Sequence, residues 1–493
     1  MFSPSDFWPL FRPSYCLRRV WLNANSPELA VPDEDFAQLV KEKGLEVEEA
    51  HVQSLGPIEE PEYGEYDFEK GFEDTLRLIQ SREPIIYQGV LINNEEQLIT
   101  IPDLLLFDNA TQRYILREIK LATNLDSHQE IQLGVGLSKI VARSVLGYEP
   151  VIEIVTGDGV INSPYECPPE DVVFQAVKLI TSIQEVAEEP FEPVGWSKCS
   201  SCEFFSHCWG EAWEKHNICT ISGIEQSMSL ALNQQGIETW EKVVSIGDRI
   251  YDVRFQRGSQ IQRIGSTRGG KIIRQACCLS AGKHENIACV QLPQGYLPGK
   301  RPIVIFDVEN NMPAFEELGL EVDVYLWGLL LITDEGSKQF LIVAPRNEDG
   351  DAKGWEQFLK VMSEIFQEYG DLPIIHFSKH ERTKVTKYIG AFGDPNLVAQ
   401  RVLHNLWDLY TTITQSVVLP VPSYGLKSIE KFVGFVRSQK EYGGSWSLVR
   451  YNSYLKAESK EESGRILEEI KLYNAEDLLA TYAVYEWVEQ NCC

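Results

Sequence analysis

Three groups of residues in this 493-residue chain have the types and spacing to do chemistry. In the first, Asp103 is followed by Glu118 and Lys120. The apolar run Ile101 to Phe107, the polar stretch Asp108-Asn109-Ala110-Thr111-Gln112 and a second run from Tyr114 read as a β-hairpin. Side chains on a strand alternate faces, so Glu118 and Lys120 share one, and Asp103 at the start of the first strand reaches them across the hairpin. Two carboxylates and an amine in one small volume suit a hard divalent cation such as Mg²⁺, with the lysine positioning water or steadying charge on a phosphate. In the second group, Cys199-x2-Cys202-x5-Cys208 offers three soft donors, which favour zinc or an iron-sulfur cluster. The missing fourth ligand falls to Cys219, His207 or Cys16. In the third, the apolar strand Pro302 to Phe306 ends in Asp307-Val308-Glu309. Two acids on one face at the end of a buried strand are costly unless they bind something.

These groups need elements to hold them. Phe68 to Gln80 repeats apolar residues at helical spacing and offers Glu73 or Asp74 as a further carboxylate. Pro84 to Val90 reads as a strand, His128 to Leu146 as a helix carrying Gln132, Val151 to Thr156 as a strand and Pro169 to Glu188 as a helix. Beyond the cysteines, two short amphipathic patterns flank Gln234-Gln235-Gly236-Ile237, similar to a helix-hairpin-helix unit. From Val253 to His284 there are no acids, while Arg263, Arg268, Lys271 and Arg274 accumulate with other cations, which makes this stretch the local candidate for contact with a nucleic-acid backbone. After Gly295-Tyr296-Leu297-Pro298-Gly299, strands at Val324 to Leu330, Gln339 to Val343 and Pro373 to His376, with a helix from Gly354 to Tyr369, imply an α/β layer.

Composition narrows the function classes. Hydrophobic residues at 43% and charged residues at 24% describe a globular chain long enough for two or three domains. A formal charge of -28 excludes a protein that grips nucleic acid over its whole surface, so phosphate binding must be local and aided by metal ions or clustered cations. No apolar run approaches a membrane span and the first residues lack a cleavable-leader pattern, so a cytoplasmic protein without membrane partners is expected. Eleven cysteines, three of them packed together, suggest a metal site rather than disulfides. There is no Gly-x4-Gly-Lys-Ser/Thr loop, so a helicase partner would have to supply any unwinding.

Taken in order, Cys16 within Cys-x-Arg-Arg, Pro102-Asp103, Glu118-x-Lys120, Gln132-Leu133 and then Cys199, Cys202 and Cys208 resemble the RecB-type PD-(D/E)xK nucleases, whose core is closed by a four-cysteine 4Fe-4S staple. The resemblance implies that Asp103 and Glu118 hold Mg²⁺ or Mn²⁺, that Lys120 and Gln132 sit at the phosphate, and that Cys16, Cys199, Cys202 and Cys208 bind the cluster, with Zn²⁺ the alternative. Two departures stand out: Gly136 where such nucleases usually carry Tyr, and no histidine in the preceding helix. The last third resembles the RNase H-like domains of DEDD exonucleases. There Asp307-x-Glu309 matches the first motif, Glu381 stands in for the usual Asp of the second, and Tyr473-x3-Asp477 matches the third. This implies two metal ions held by Asp307, Glu309, Glu381 and Asp477, with Tyr473 orienting water.

The expected architecture is therefore α/β throughout: a restriction-endonuclease-like domain over 1–215, a helical connection over 216–297 and an RNase H-like 3'-5' exonuclease-type domain over 298–493. The expected function is metal-dependent hydrolysis of phosphodiester bonds, in DNA rather than RNA, exonucleolytic, and serving DNA repair, processing or defence. The alternative is a catalytically idle nucleic-acid-binding or assembly module that retains two nuclease folds.

Overall fold

The turn after Asp108 shows why the first hairpin forms. In the computed structural model, Asp108 accepts hydrogen bonds from the backbone N–H groups of Ala110 (3.0 Å) and Thr111 (3.2 Å), and Gln112 takes a left-handed conformation (φ +57°). A short polar side chain thus reverses the chain locally. The structure describes all residues except 32–33, 192–193, 312–322, 346–348, 440–442 and 493. The chain divides into two compact units, Met1–Gly210 and Glu211–Cys493.

In the first unit the strands are β1 (Ile85–Tyr87), β2 (Leu91–Asn93), β3 (Leu98–Thr100), β4 (Leu104–Asp108), β5 (Arg113–Ile119), β6 (Ile152–Val155) and β7 (Ile161–Asn162). Five form one sheet in the order β1-β4-β5-β6-β7, and β2 with β3 makes a separate hairpin. β4 and β5 pair antiparallel as the hairpin requires, whereas β5 and β6 pair parallel. A parallel pair needs a long crossover, supplied here by a helix over Gln129–Leu146. The other helices used below are α1 (Leu17–Asn25), α2 (Phe68–Ser81), the crossover helix α3 and α4 (Glu170–Gln184). Their apolar faces meet the sheet around Leu105, Leu116, Leu137, Val141 and Ile154.

The segment expected to be helical at 216–297 is mixed. Helices at Gln226–Asn233 and Trp240–Ile246 do flank Gly236 (φ +72°), but a β-hairpin follows, β8 (Arg254–Arg257) and β9 (Gln260–Arg263), turning at Gly258 (φ +59°). Only Phe255 of its strands is buried, which is why apolar periodicity did not reveal it. Next come α5 (Gly265–Ala281) and a short strand β10 (Glu285–Asn286), which pairs with β16 (Val417–Val418). The Gln275 side-chain amide of α5 donates to the carbonyls of Leu419 (2.6 Å) and Val421 (2.9 Å), so this part of the segment is packed into the second unit.

The main sheet of the second unit runs β13-β12-β11-β14-β15, with β11 (Ile303–Asn310), β12 (Val324–Thr333), β13 (Gly336–Val343), β14 (Ile374–His376) and β15 (Leu406–Asp408). β11 is central, antiparallel to β12 and parallel to β14. Helices α6 (Gly350–Tyr369), α7 (His380–Phe392), α8 (Leu426–Phe432), α9 (Gly444–Lys456) and α10 (Lys460–Asn491) complete the parts that matter for function. Alternation along β11 sorts its side chains. Val304, Phe306 and Val308 pack with Trp327 and Phe358 on one face; Ile303 and Ile305 pack with Leu478 and Val484 of α10 on the other. Asp307 and Glu309 continue that second face and so meet α10. Both units are mixed α/β. Among the described residues no helix is long and apolar enough to cross a membrane.

Candidate active sites

In the first unit, Asp103 immediately precedes β4, Glu118 lies in β5 and Lys120 directly follows it. Lys120 Nζ is 2.7 Å from Glu118 Oε2 and 3.4 Å from Asp103 Oδ2, and the same Asp103 oxygen accepts the Ile119 backbone N–H at 2.5 Å. Burial and then Asp103 raise the Glu118 carboxyl, against the pull of Lys120. Burial opposes the charge on Lys120, but Glu118 and Asp103 outweigh it and hold the ammonium above its ordinary range. The three side chains open into a cavity of about 730 Å³ whose other walls include Trp8, Phe68, Ile101, Glu130 and Gly134.

Two expectations for this site change. Gln132 does not line the cavity; its amide donates to the Leu125 carbonyl (2.9 Å) in the turn that precedes α3. Two residues along a helix is a rotation of about 200°, so the face that presents Glu130, Ile131 and Gly134 turns Gln132 away. In its place the structure brings Glu130, a buried acid held by Arg12 Nε (2.7 Å) and His128 Nδ1 (2.8 Å). Sequence reasoning passed over Glu130 because it sits in a polar helix start; its lone signal is the His128-x-Glu130 pair. From α2, Glu73 is exposed, and Asp74 is buried but bonded to the Glu62 N–H (2.9 Å) and Lys70 (3.3 Å), so neither carboxylate reaches the cavity.

Cys16 caps α1, its sulfur accepting the Arg19 N–H at 3.4 Å. Burial pushes the thiols of Cys16 to about 11 and of Cys202 and Cys208 to about 12, and Cys16, Cys199, Cys202 and Cys208 lie close enough that their charges act on one another. Buried Arg18 and Arg19 add positive charge beside them; Arg19 pairs with Glu203 (2.8 Å) and Arg18 with Glu189. His207 is engaged by Arg18 (3.2 Å) and Glu189 (3.1 Å), and Cys219 is buried within the second unit. Cys16, far upstream in sequence, thus lies within electrostatic reach of the other three.

In the second unit, Asp307, Glu309 and Asp477 place carboxylate oxygens within 4.8 Å of one another. Burial first, then Asp477 and Glu381, raise Asp307 well above the carboxylate range; burial, Asp307 and Asp477 do the same to Glu309. Asn474 sits one helical turn before Asp477 and donates its amide to Asp307 Oδ2 (2.6 Å) and Glu309 Oε1 (3.4 Å), while Ser447 donates to Glu309 Oε2 (3.1 Å). Gly328, paired in register with Asp307, leaves the space: a Cβ there would collide with the Asn474 side-chain carbonyl. Asp477 also meets two cations, Lys427 and Arg437. Arg437 is almost wholly enclosed and also grips Glu430 (2.7 Å). Tyr473 is buried in the field of Glu309, Asp477 and Asp307, which with burial raises its hydroxyl.

Glu381 is the residue that departs from the expected ligand set. It is near enough to raise Asp307, yet its carboxylate faces buried His376 (Nδ1 to Oε2, 3.1 Å) rather than joining the triad. Burial drives this pair toward neutrality, raising Glu381 to about 8 and lowering His376 to about 4. Asp408 caps the helix Leu409–Ser416, accepting the Thr411 N–H (3.2 Å), and also accepts the Ser378 N–H (3.1 Å).

Of the four cations assigned to nucleic-acid contact, Lys271 is exposed, Arg263 and Arg274 are exposed but paired with Asp252 and Glu285, and Arg268 lies 5.6 Å over the Phe255 ring. The pairing acids flank the acid-free stretch at either end. Lys427, Arg437, Asn474, Ser447 and Gly328 were not singled out from the sequence. Asn474 at least stands inside Tyr473-x3-Asp477, where one-turn spacing turns it toward the same strand face.

Comparison with known proteins bears on the fold of the second unit. No curated protein and no solved structure matches the chain. A family model does: residues 304–489 match the RNase_H superfamily, a nuclease-type fold whose matched span carries β11, α10 and all three carboxylates between them.

Proposed function

We propose that the protein is a metal-dependent nuclease that hydrolyses phosphodiester bonds of DNA, acting exonucleolytically. The observation that carries this reading is the buried triad Asp307, Glu309 and Asp477 on an RNase H-type sheet. Lys427 and Arg437 both bear on Asp477, but Asp307 and Glu309 stay raised and cannot both ionise without further positive charge, and oxygen donors of this kind select Mg²⁺ or Mn²⁺. Such an ion would polarise the phosphate and lower the pKa of water. The chain's own part is to orient the carboxylates through Asn474 and Ser447 and to present the Tyr473 hydroxyl beside them.

The first unit, in this reading, is a RecB-like PD-(D/E)xK domain over about residues 1–215, with Asp103, Glu118 and Lys120 as its site and a 4Fe-4S cluster on Cys16, Cys199, Cys202 and Cys208. Support comes from the shared cavity and from half-buried thiols grouped beside buried Arg18 and Arg19. Anaerobically purified protein is expected to be brown and to carry iron and sulfide that Cys16→Ser loses; a colourless, zinc-containing preparation would replace the cluster with Zn²⁺.

Cleavage of labelled single- and double-stranded DNA and RNA in Mn²⁺ tests the reading, with Lys120→Ala and Asp307→Ala alongside. Loss with one variant assigns the chemistry to that unit. The engagement of Glu381 with His376 favours a second reading, a nucleic-acid-binding module with a silent site, which binding without any cleavage would select.

A further inference from the structure

Asp477 has two cationic partners of different character. Arg437 has a side chain only 2% exposed, is fixed by two hydrogen bonds to Glu430, and is held over the Tyr473 ring. Its guanidinium is shared between Glu430 and Asp477 through Nε and Nη2, so it is a fixed counter-charge. Lys427 approaches the same Asp477 oxygen from the rim, with 33% of its side chain exposed and its ammonium 4.8 Å from the centre of the Tyr473 ring. Its charge also lowers the Asp307 carboxyl, so it bears on two members of the triad at once. A flexible lysine at the solvent edge of three carboxylates stands where a divalent cation would compete with it for Asp477.

We infer that Lys427 is a phosphate-binding residue that exchanges partners: with the site unloaded it neutralises Asp477, and when a divalent cation takes the triad it releases Asp477 and binds a non-bridging oxygen of the substrate phosphate. This deepens the nuclease reading of the second unit and rests on it. Arg437 stays in place throughout, which keeps Asp477 oriented while Lys427 moves. No covalent bond forms in the exchange; one ion pair is traded for another, and the long lysine stem supplies the reach. In the position seen here the ammonium also lies over the Tyr473 face, at the rim of the site.

Calorimetric titration of Mn²⁺ into the full-length protein reads the exchange without turnover. Every arm carries Asp103→Asn, which weakens the carboxylate pair of the first unit. Lys427→Met is expected to bind Mn²⁺ about fivefold or more tightly than the Lys427 protein, because its competitor for Asp477 is gone, while Asp307→Asn loses that binding. At saturating Mn²⁺, cleavage of a labelled single-stranded oligonucleotide by Lys427→Met should fall tenfold or more, chiefly through KM, with Lys427→Arg restoring part of it. Unchanged or weaker Mn²⁺ affinity in Lys427→Met overturns the exchange, as does cleavage undiminished by that change. Identical Mn²⁺ binding in the Asp307→Asn and Asp307 proteins instead removes the metal reading of the site, and the exchange falls with it.

Discussion

A single absent side chain decides how the second site is held. Gly328 lies opposite Asp307 in the β11–β12 ladder, and Asn474 fills the space above it while bonding Asp307 and Glu309. Gly328→Ala therefore forces Asn474 off its partners, at a cost of about 1–3 kcal/mol for overpacking. Denaturant unfolding should show that most of this cost disappears when Asn474→Ala is added, a non-additivity expected only of residues in direct contact. Glu381 makes the other residue-scale prediction, through pH. Its carboxyl is raised to about 8 in the folded chain, so between its ordinary value and 8 the folded state binds more protons than the unfolded state, and stability falls as pH rises. His376, lowered to about 4, acts with the opposite sign, gaining stability as pH rises from 4 to its ordinary 6.5. Above pH 6.5 the histidine contribution has largely run its course, and toward pH 8 the raised thiols act in the same direction as Glu381, so the comparison with Glu381→Gln isolates the acid. Thermal melts of metal-free protein from pH 6.5 to 8 should decline more steeply for the natural chain than for Glu381→Gln; equal slopes would mean that Glu381 is ionised throughout.

At the scale of elements, the second site is where one strand and one helix share a face, and α8 and the stretch after it close it electrostatically. Arg437 stands between Glu430 and Asp477, both buried, so Arg437→Met leaves Glu430 without its cation and Asp477 with Lys427 in place of two. Removing one partner of a buried ion pair typically costs about 3–5 kcal/mol, and the loss should appear as a lower denaturation midpoint that Glu430→Gln in the same chain partly restores. This network also marks the boundary of what the sequence discloses. Strand alternation is a local rule, so the faces of Asp307 with Glu309 and of Glu118 with Lys120 follow from spacing of two, and a helix spacing of four puts Tyr473 with Asp477. Arg437 is 40 residues from Asp477 and follows no period or motif; only the packing of α8 and its sequel against α10 joins them. Gln132 failed for a related reason: its helix was foreseen, but its rotation is fixed by the sheet it packs on, and that rotation selects Glu130. The hairpin at Arg254–Arg263 was missed because exposed strands carry no apolar alternation.

For the whole molecule, the governing quantity is a formal charge of -28, which repels a polyanion once it approaches within about a Debye length of the surface. A nuclease of this composition has to engage its substrate through restricted cationic ground, and the second unit provides some between Arg254 and Arg274, on a hairpin and helix whose cations lie outward. The exposed pairs Arg263 with Asp252 and Arg274 with Glu285 do not remove them from use, since ion pairs in solvent are worth at most about 1 kcal/mol and a phosphate can replace the acid. If this face binds the strand, each neutralised phosphate releases counterions and contributes about 0.7 to the slope of log K against log salt for a single strand. Arg263→Gln with Lys271→Gln, in protein held with Ca²⁺ to separate binding from turnover, should then reduce that slope by about 1 to 1.5 and weaken binding nearly equally for all sequences. Fluorescence anisotropy of a labelled oligonucleotide across a salt series measures both. An unchanged slope would assign the substrate path elsewhere, to the cations that gather at the sites themselves, Lys120 in one unit and Lys427 in the other.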